Sequence, residues 1–487
     1  MCEFGLCCST NRAGGGMSRF RSLLLPAALT LGVGGVLAAP VAAAEPTAAA
    51  ECDTTSTPYT YVVLYHPRTP QAVVDAELAA KCGERVAYYP EIGVAVASSR
   101  NADFADRIGV YRAYSGSREV AHPDTAAAVA RAQARAEVET EETVDVVSTA
   151  DLSAQQWDMH MIHAPEAHAI NEGSPSVTVG VLDSGIEPTH PALVDSLDPE
   201  TSVGCNTGAP DTRPEAWAST NIDHGTHVAG TISGKDTERG FTGVAPGVRI
   251  ASVKVVNDEG YIYPEAAVCG FMWAAEHRFE VTNNSYYVDP GMFYCPSQPG
   301  DAAAYEAVRR AVAYSQKRGV LNVAAAGNSD FDLADPPADD PNRQHPVNSG
   351  CAILPKGLDG VVTVSSVGYE ATKSSFSNYG LREVDVAAPG GDRDQLPPGA
   401  TSGCILSTVF NGQYGTKCGT SMAAPHAAGV AALIASKRPQ LPPQAISALL
   451  RAKADNMPCP DDDRCTGPAA HNSFYGHGLV NALAAVK

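Results

Sequence analysis

Basic side chains are scarce in this chain. Its 487 residues include 34 Lys and Arg against 54 Asp and Glu, which gives a formal charge of -20. A surface that binds nucleic acid or an anionic membrane needs a concentration of positive charge. The charge balance therefore argues against both kinds of partner. The hydrophobic content of 44% is ordinary and predicts a globular protein with a large buried core.

Long apolar runs are missing beyond the N-terminus. A membrane-spanning helix takes ~20 apolar residues, and the one comparable stretch, Leu23–Ala39, lies between two arginines and the small residues Ala42–Ala44. A positive start, an apolar centre and a small-residue end are typical of a secretory signal peptide. We expect residues 1–44 to be leader and signal peptide, with the true start at Met17, and the exported protein to be free of membrane spans.

No cysteine spacing matches a zinc site. Of the 13 cysteines, three lie in the first 16 residues, Cys52 and Cys82 follow the signal peptide, and eight lie beyond residue 200. Even numbers of cysteines in an exported chain predict disulfides. Eight cysteines allow roughly a hundred connectivities, so only the local pair Cys459–Cys465 is predicted individually. Cys269 lies on an apolar helical face, and an isolated buried thiol is the alternative for it.

Residues 59–121 have the pattern of a small α+β unit. Tyr59–Tyr65 is predicted as a strand, Pro70–Cys82 as a helix, and Val86–Tyr89 and Gly93–Ala97 as two further strands. Such a unit can fold around its own core.

The composition then changes, and it divides the chain into parts. Residues 125–149 are rich in Ala, Glu and Arg with few large apolar side chains, which predicts an exposed linker open to proteolytic processing. We therefore expect an N-terminal domain over 45–124, a linker and processing region over 125–150, and a large domain over 151–487.

The large domain alternates short β-branched runs with helical stretches. Helices are predicted at Pro264–Arg278 and Tyr305–Arg318, the first with apolar residues at i, i+3, i+4 and i+7. The predicted buried strands are 177–182, 250–256, 281–285, 320–326 and 361–367. This alternation predicts an α/β fold with a doubly wound, mostly parallel sheet, preceded by the small α+β domain.

Functional residues of such a sheet collect beyond the carboxyl ends of its strands. Asp183 follows the predicted strand 177–182, while His224 and Ser421 each begin a helical run. An acid, an imidazole and a hydroxyl are the groups that a serine nucleophile needs. A hydroxyl at a helix N-terminus is also favoured by the helix dipole once it becomes an oxyanion.

The segments that carry these residues resemble a known family. V-L-D-S-G-I, H-G-T-H-V-A-G-T and G-T-S-M-A-A-P-H, in the order Asp, His, Ser, are similar to the signatures of subtilisin-like serine proteases, the subtilases. The shorter matching segments are G-V-A-P at 243–246, A-A-A-G-N at 324–328, S-F-S-N-Y-G at 375–380 and V-A-A-P-G at 386–390. The matches run from about Trp157 to 476–483.

The resemblance implies a role for each site residue. Ser421 would be the nucleophile, His224 the general base and then acid, and Asp183 the residue that orients the imidazole. Asn328 matches the side chain that donates to the oxyanion, beside the Ser421 backbone N–H. His227 and His426 lie in the same motifs but one helical turn further on, so we expect them to be packed and not catalytic.

The resemblance also places the strand ending near Ser285 along the substrate. In the family, glycines come soon after this serine, whereas here Ser285 is followed by Tyr286 and Tyr287. Their side chains predict a narrowed or reshaped substrate cleft. The alternative is that both side chains point away from the cleft. Serine protease chemistry requires no cofactor. Members often bind structural calcium, yet the acidic stretches 335–341 and 461–463 read more simply as solvated loops, and no metal ligand is assigned.

Together these features predict a secreted, extracellular, monomeric serine endopeptidase that acts on proteins or peptides through an acyl-enzyme on Ser421. The residues 59–121 resemble the family's inhibitory propeptide by position and strand–helix order, so we expect a self-processing zymogen whose own propeptide is its inhibitor. Two other enzyme classes fit poorly: a sedolisin would replace His224 and Asn328, and an α/β-hydrolase using Ser421, Asp461 and His471 would lack the final glycine of its motif. A catalytically silent binding protein on the same fold remains the alternative of another class.

Overall fold

The computed structural model describes residues 52–121, 145–147, 151–338 and 345–487. The predicted leader and signal peptide and most of the predicted linker lie outside these residues. The described residues form one compact unit that contains both the small N-terminal fold and the large domain. Among the described residues, no helix combines the length and the apolar character that crossing a bilayer requires.

The N-terminal α+β unit is a four-stranded antiparallel sheet with its own core. Its strands pair in the order β2-β3-β1-β4, and Tyr61, Leu78 and Phe104 are fully buried beneath them. The elements are β1 Tyr59–Leu64, α1 Gln71–Ala80, β2 Gly83–Tyr89, β3 Val94–Ser99, α2 Phe104–Ile108, β4 Ala113–Tyr114 and α3 Gly116–Ala121. The predicted strands and helix are confirmed, with β2 beginning three residues earlier than expected.

The remaining strands follow in chain order. They are β5 Asp145–Val146, β6 Thr178–Asp183, β7 Val203–Gly204, β8 Lys235–Asp236, β9 Phe241–Thr242, β10 Arg249–Lys254, β11 Val281–Asn284, β12 Phe293–Tyr294, β13 Leu321–Ala325, β14 Ala352–Ile353, β15 Val362–Val367, β16 Val386–Pro389, β17 Ile405–Val409 and β18 Gln413–Lys417. β5 lies within the predicted linker and pairs with β18, because backbone pairing with a sheet edge requires no apolar side chains.

The helices of the large domain lie between these strands or follow the last of them. They are α4 Trp157–Met161, α5 Ala164–His168, α6 Pro214–Trp217, α7 His224–Ser233, α8 Pro264–His277, α9 Asp301–Lys317, α10 Thr420–Lys437, α11 Pro443–Ala452 and α12 Ala482–Val486, with a short 3₁₀ turn at Ser153–Gln155. The helix predicted to begin at Tyr305 begins one turn earlier, at Asp301.

Seven strands form one parallel sheet in the order β16-β15-β13-β11-β6-β10-β7. Both faces are covered, which the alternation within β6 illustrates. Val179 and Val181 belong to the apolar cluster that includes α7, α10 and α11, while Leu182 belongs to the cluster that includes α8 and α9. Burial on both faces explains the continuous apolar runs from which the strands were predicted. The doubly wound α/β fold is confirmed.

The N-terminal unit packs on α8 and α9. Arg310 of α9 donates from Nη1 to the carbonyls of Tyr65 at 2.8 Å and Ile92 at 3.0 Å. The Tyr89 hydroxyl donates to the carbonyl of Gly208 at 2.7 Å. Several apolar side chains of the unit are part of the same core cluster as α8 and α9, namely Val62, Ile92, Val94 and Tyr114. The two folds therefore share one buried interface.

Five disulfides link the described cysteines. They are Cys52–Cys82, Cys205–Cys269, Cys295–Cys351, Cys404–Cys418 and Cys459–Cys465. The predicted local pair is confirmed. The isolated-thiol alternative for Cys269 was wrong, because the apolar face of α8 brings its sulfur against Cys205, 64 residues earlier.

Glu265 is a buried carboxyl at the shared interface. It lies in the first turn of α8, is 2% exposed, and its Oε2 has no hydrogen-bond partner among the described residues. A Cβ added to Gly208 would lie 2.8 Å from both the Glu265 Cβ and a Val96 methyl, so the three residues meet closely. Burial raises the pKa of Glu265 to about 8.

Replacing Glu265 by Gln should stabilise the chain at high pH. The carboxyl ionises near its ordinary pKa of 4.5 when unfolded and near 8 when folded, so the unfolded state binds fewer protons between these values and stability falls as pH rises through that window. The free energy of unfolding of the Ser421→Ala,Glu265→Gln double variant should exceed that of Ser421→Ala by a few kcal/mol at pH 8, at most about 5. The two free energies should be equal near pH 4.5. Urea unfolding at both pH values measures the difference. An equal difference at both would contradict the buried-carboxyl explanation.

Candidate active site

Asp183 ends the central strand β6 and holds the imidazole of His224. Its Oδ1 accepts from the backbone N–H of Ser184 at 2.7 Å and from Nδ1 of His224 at 2.8 Å. Asp183 is 1% exposed, whereas His224 is partly accessible. Because the carboxylate can only accept, Nδ1 carries the proton and Nε2 of the neutral ring is left as a base.

The first turn of α7 approaches β6 closely enough for this contact. A Cβ added to Gly225 would lie 2.4 Å from the Gly185 carbonyl and 3.1 Å from the Asp183 Cβ. Only a glycine after His224 therefore lets the helix begin at this point, which explains the H-G-T-H sequence in terms of packing.

Ser421 lies in the first turn of α10 and is joined to Ser285 by two hydrogen bonds. The Ser421 hydroxyl donates to the carbonyl of Ser285 at 3.2 Å, and the Ser285 hydroxyl donates to the carbonyl of Ser421 at 2.8 Å. Ser285 follows β11 directly, and its hydroxyl also accepts from Nδ2 of Asn283 at 2.9 Å. Ser421, the candidate nucleophile, is thus hydrogen-bonded to the end of the strand that is expected to line the substrate.

Asn328 is exposed beside this turn, and its amide has a defined orientation. Its Oδ1 accepts from the backbone N–H of Thr420 at 2.9 Å and from the Thr420 hydroxyl at 2.7 Å. The atom that faces two donors must be the oxygen, so Nδ2 is the remaining donor. A Cβ added to Gly419 would lie 3.4 Å from this Nδ2 and 3.6 Å from the backbone N of Ser421, so the two N–H groups flank the same turn.

The structure therefore brings the sequence-predicted residues to one edge of the sheet. Asp183, Ser285 and Asn328 lie at the carboxyl ends of β6, β11 and β13, and His224 and Ser421 begin the helices α7 and α10. This arrangement offers a base, a hydroxyl and two N–H donors at one edge of the sheet, the groups that acyl transfer requires.

His227 and His426 are packed within the core, as expected. Nε2 of His426 contacts a carboxylate oxygen of Asp158 at 2.9 Å, and both side chains are fully buried. Nε2 of His227 faces the carbonyls of Ile405 and Gly415, and burial lowers the pKa of His227 well below its ordinary value. Each imidazole thus contacts, through Nε2, a segment that packs against its own helix.

The two tyrosines after Ser285 pack into apolar clusters. Tyr286 contacts the cluster that includes α8 and α9, and its hydroxyl donates to Oδ1 of Asn284 at 3.1 Å. Burial raises the pKa of Tyr286 above its ordinary value. Tyr287 packs with a separate group that includes Ala326 and Phe331, beside Asn328. Tyr286 thus packs against the core cluster of α8 and α9, and Tyr287 packs against the group beside the loop that carries Asn328.

An ion pair beside His224 was missed by sequence reasoning. Nζ of Lys417, on β18, lies 3.1 Å from Oδ1 of Asp223, and the Lys417 side chain is 2% exposed. Asp223 immediately precedes His224. No local pattern marks these residues as partners, because they are far apart in the chain. Thr420 was also missed, although its place inside G-T-S-M could have signalled a role.

One group of potential metal ligands occurs among the described residues, and it is poorly suited to a metal. Cys295, Asp301 and His345 have ligand atoms within 4.8 Å of one another. Cys295 is bonded to Cys351 and therefore cannot bind as a thiolate. In the acidic stretch 461–463, Asp462 is paired with Arg464.

The parallel sheet, the Asp183–His224 pair and the serine at the start of α10 define the class of protein as a serine hydrolase. Comparison with known proteins gives the family. Residues 174–478 match the model of the Subtilase family. The chain is 30% identical over 331 residues to subtilisin DY of Bacillus licheniformis, covering 68% of this chain and 98% of that protein. The chain belongs to the subtilase family and is a subtilisin-like serine endopeptidase.

Solved structures agree with this fold. A protease structure from Pseudoalteromonas arctica is 27% identical, with a TM-score of 0.52, and covers 70% of this chain and 99% of its own. The epidermin leader peptide processing serine protease of Staphylococcus aureus is 23% identical, with a TM-score of 0.63, and covers 88% of this chain and 98% of its own. At that identity the second similarity concerns the fold alone.

Proposed function

We propose that this chain is a secreted endopeptidase that cleaves peptide bonds through an acyl-enzyme on Ser421 and is made as a self-processing zymogen. The observation that carries the catalytic part is the 2.8 Å contact between Asp183 and Nδ1 of His224, at the same sheet edge as Ser421 and Asn328. This contact prepares the opposite ring nitrogen to act as a base.

In the proposed reaction, Nε2 of His224 takes the hydroxyl proton of Ser421 as the oxygen attacks the scissile carbonyl. Asp183 keeps the ring in the required tautomer and stabilises the imidazolium. Nδ2 of Asn328 and the backbone N–H of Ser421 donate to the oxyanion. The imidazolium then protonates the leaving amine, and water, activated by the same base, releases the acyl group.

The zymogen proposal is supported by how the N-terminal unit is packed. A Cβ on Gly116, at the start of α3, would lie 2.7 Å from the Tyr263 ring and 3.3 Å from the Asp289 carbonyl. Asp289 is four residues beyond Ser285, so the end of the unit lies against the segment that follows the substrate strand. The similarity to the epidermin-processing fold covers 88% of this chain, more than the 337 residues of 151–487 provide, so it extends beyond the large domain.

Secretion is supported by two features of different kinds. Residues 19–44 have the positive, apolar and small-residue order typical of signal peptides. The described cysteines form five disulfides, and such bonds persist in oxidising compartments. The partners that follow are peptide or protein substrates and the chain's own N-terminal unit.

Replacing Ser421 by Ala should leave the exported precursor at full length and abolish labelling by a serine-directed phosphonate. The Ser421 hydroxyl is the nucleophile of the proposed reaction and is therefore the group that forms the covalent adduct. Mass spectrometry of secreted protein and gel detection of the label measure the two effects. Normal maturation of Ser421→Ala would refute self-cleavage, and an unlabelled, folded, matured wild-type protein would favour a silent binding protein.

Replacing Asp183 by Asn should lower kcat by about 10⁴-fold, the effect of this change on a serine protease triad, because the amide no longer selects the Nδ1–H tautomer of His224. Steady-state kinetics on a chromogenic peptide, with active sites counted by the phosphonate, measure it. KM should stay within about twofold. A fall of less than tenfold would contradict the assigned role of Asp183.

Replacing Arg310 by Ala should weaken the binding of the N-terminal unit to the catalytic domain after the first cut, because the carbonyls of Tyr65, Ile92 and Gly93 lose their donor. Less of the unit should then coelute with the catalytic domain in gel filtration, and activity should appear sooner. Arg309→Ala is the matched control, since Arg309 pairs with Glu306 on its own helix. Equal behaviour of the two variants would contradict this interface.

A further inference from the structure

We propose that Asn378 is a positioning residue for Asn328: it holds the backbone on both sides of the oxyanion donor and thereby sets where Nδ2 lies. The inference rests on the oxyanion role proposed for Asn328. Asn378 lies in S-F-S-N-Y-G, a segment distant from the three motifs of the triad, and it has no other assigned task in the reaction.

The contacts of Asn378 surround Asn328 without involving it. The backbone N–H of Asn378 donates to the carbonyl of Gly327 at 2.9 Å, and its Nδ2 donates to the carbonyl of Ala326 at 3.0 Å. Its Oδ1 accepts from the backbone N–H of Ser329 at 3.0 Å and of Phe331 at 2.9 Å. One residue thus satisfies four backbone groups of the loop that carries Asn328, two before it and two after it.

The loop that carries Asn328 has a glycine where the side-chain amide of Asn378 approaches its backbone. Gly327 has φ of +102°, and a Cβ on it would lie 2.4 Å from Nδ2 of Asn378. A glycine is required here both by the backbone conformation and by the close approach of the side chain. Asn378 itself is fully buried, so an unmade contact would leave polar groups without water to replace it.

Asn378 is itself held in place by hydrogen bonds of the neighbouring residues Ser377 and Lys373. The Ser377 hydroxyl donates to the Asn378 carbonyl at 3.0 Å and accepts from the backbone N–H of Ser366, on β15, at 2.9 Å. Nζ of Lys373 donates to the Ser377 carbonyl at 2.9 Å and to Oδ1 of Asp330 at 2.6 Å. The support for the oxyanion loop therefore extends to a strand of the main sheet.

A second fastening comes from the nucleophile's own helix. The Thr420 hydroxyl accepts from the backbone N–H of Gly327 at 3.0 Å and, with its own N–H, binds Oδ1 of Asn328. Thr420 orients the amide of Asn328 relative to Ser421. Asn378 fixes the position of the loop through the backbone groups before and after Asn328. An oxyanion donor acts only when it is placed in advance, so an error of about 1 Å is costly.

Asn378→Ala should lower kcat by about 10- to 100-fold, with KM within about twofold, because the donor is displaced only where transition-state charge develops. The matched control is Asn472→Ala. Asn472 is equally buried, its Oδ1 accepts from the backbone N–H groups of Phe474 and Tyr475, and its Nδ2 donates to the carbonyl of Met457. This variant should lose stability but keep kcat within about twofold.

A double-mutant cycle with Asn328→Ala separates positioning from a general structural effect. Loss of the corresponding donor costs about 100- to 1000-fold in kcat in subtilisin, and a similar fall is expected for Asn328→Ala. Adding Asn378→Ala to it should cost less than a further twofold. An equal fall in both backgrounds, or an unchanged kcat in folded Asn378→Ala, would overturn the inference. An unchanged kcat in Asn328→Ala itself would instead contradict the proposed oxyanion role.

Two further measurements do not depend on a single variant. Asn378→Asp keeps the acceptor for Ser329 and Phe331 but not the donor to Ala326, so its kcat should lie between those of Ala and Asn; this variant replaces Asn378→Ala if the latter does not fold. Binding of a peptide aldehyde, whose hemiacetal oxygen occupies the oxyanion position, should weaken in parallel with kcat/KM. Aldehyde affinity that is unchanged in the Asp variant while its kcat falls would contradict the inference.

Discussion

The parallel alignment of β6, β11 and β13 is the constraint on which the site depends. Since neighbouring parallel strands end at the same edge, Asp183, Ser285 and Asn328 arrive together although they are far apart in the chain. The helices that begin at this edge then bring His224 and the nucleophile candidate to the same place. Burial of the sheet on both faces holds the strands in register and leaves this edge as the accessible surface.

Short polar side chains, more than charges, complete the geometry at that edge. Ser285 binds the turn of Ser421, Thr420 binds Asn328, and Asn378 binds the loop on either side of Asn328. Each of these side chains satisfies backbone groups that would otherwise be buried without partners. Hydrogen bonds of this kind are directional, so they stabilise one arrangement of the cleft.

The N-terminal unit and the large domain meet through a mixed interface. Apolar side chains and the Arg310 contacts favour association, whereas Glu265 carries a raised pKa because burial disfavours its charged form. An interface with one uncompensated carboxyl is weaker at alkaline than at acidic pH. That property suits the release of the unit after the self-cleavage proposed above.

Local patterns were enough to predict five of the seven strands of the sheet, the helices beginning at His224 and near Ser421, and the Cys459–Cys465 pair, because each depends on residues close in the chain. The strands β7 and β16 were not predicted. The motif order likewise indicated the candidate site and the family. Element ends were less accurate, since tertiary contacts decide where pairing stops, as the early start of α9 illustrates.

Contacts between distant residues were decided only by the tertiary structure. The Cys205–Cys269 disulfide, the Lys417–Asp223 ion pair, the packing of Tyr286 against the cluster of α8 and α9, and the four contacts of Asn378 all join segments that no periodicity relates. The sequence by itself determined the chemistry available and the class of fold, because motifs and periodicity are local. The placement of each donor was decided by packing, because distances in the cleft depend on how separate strands, helices and loops press against one another.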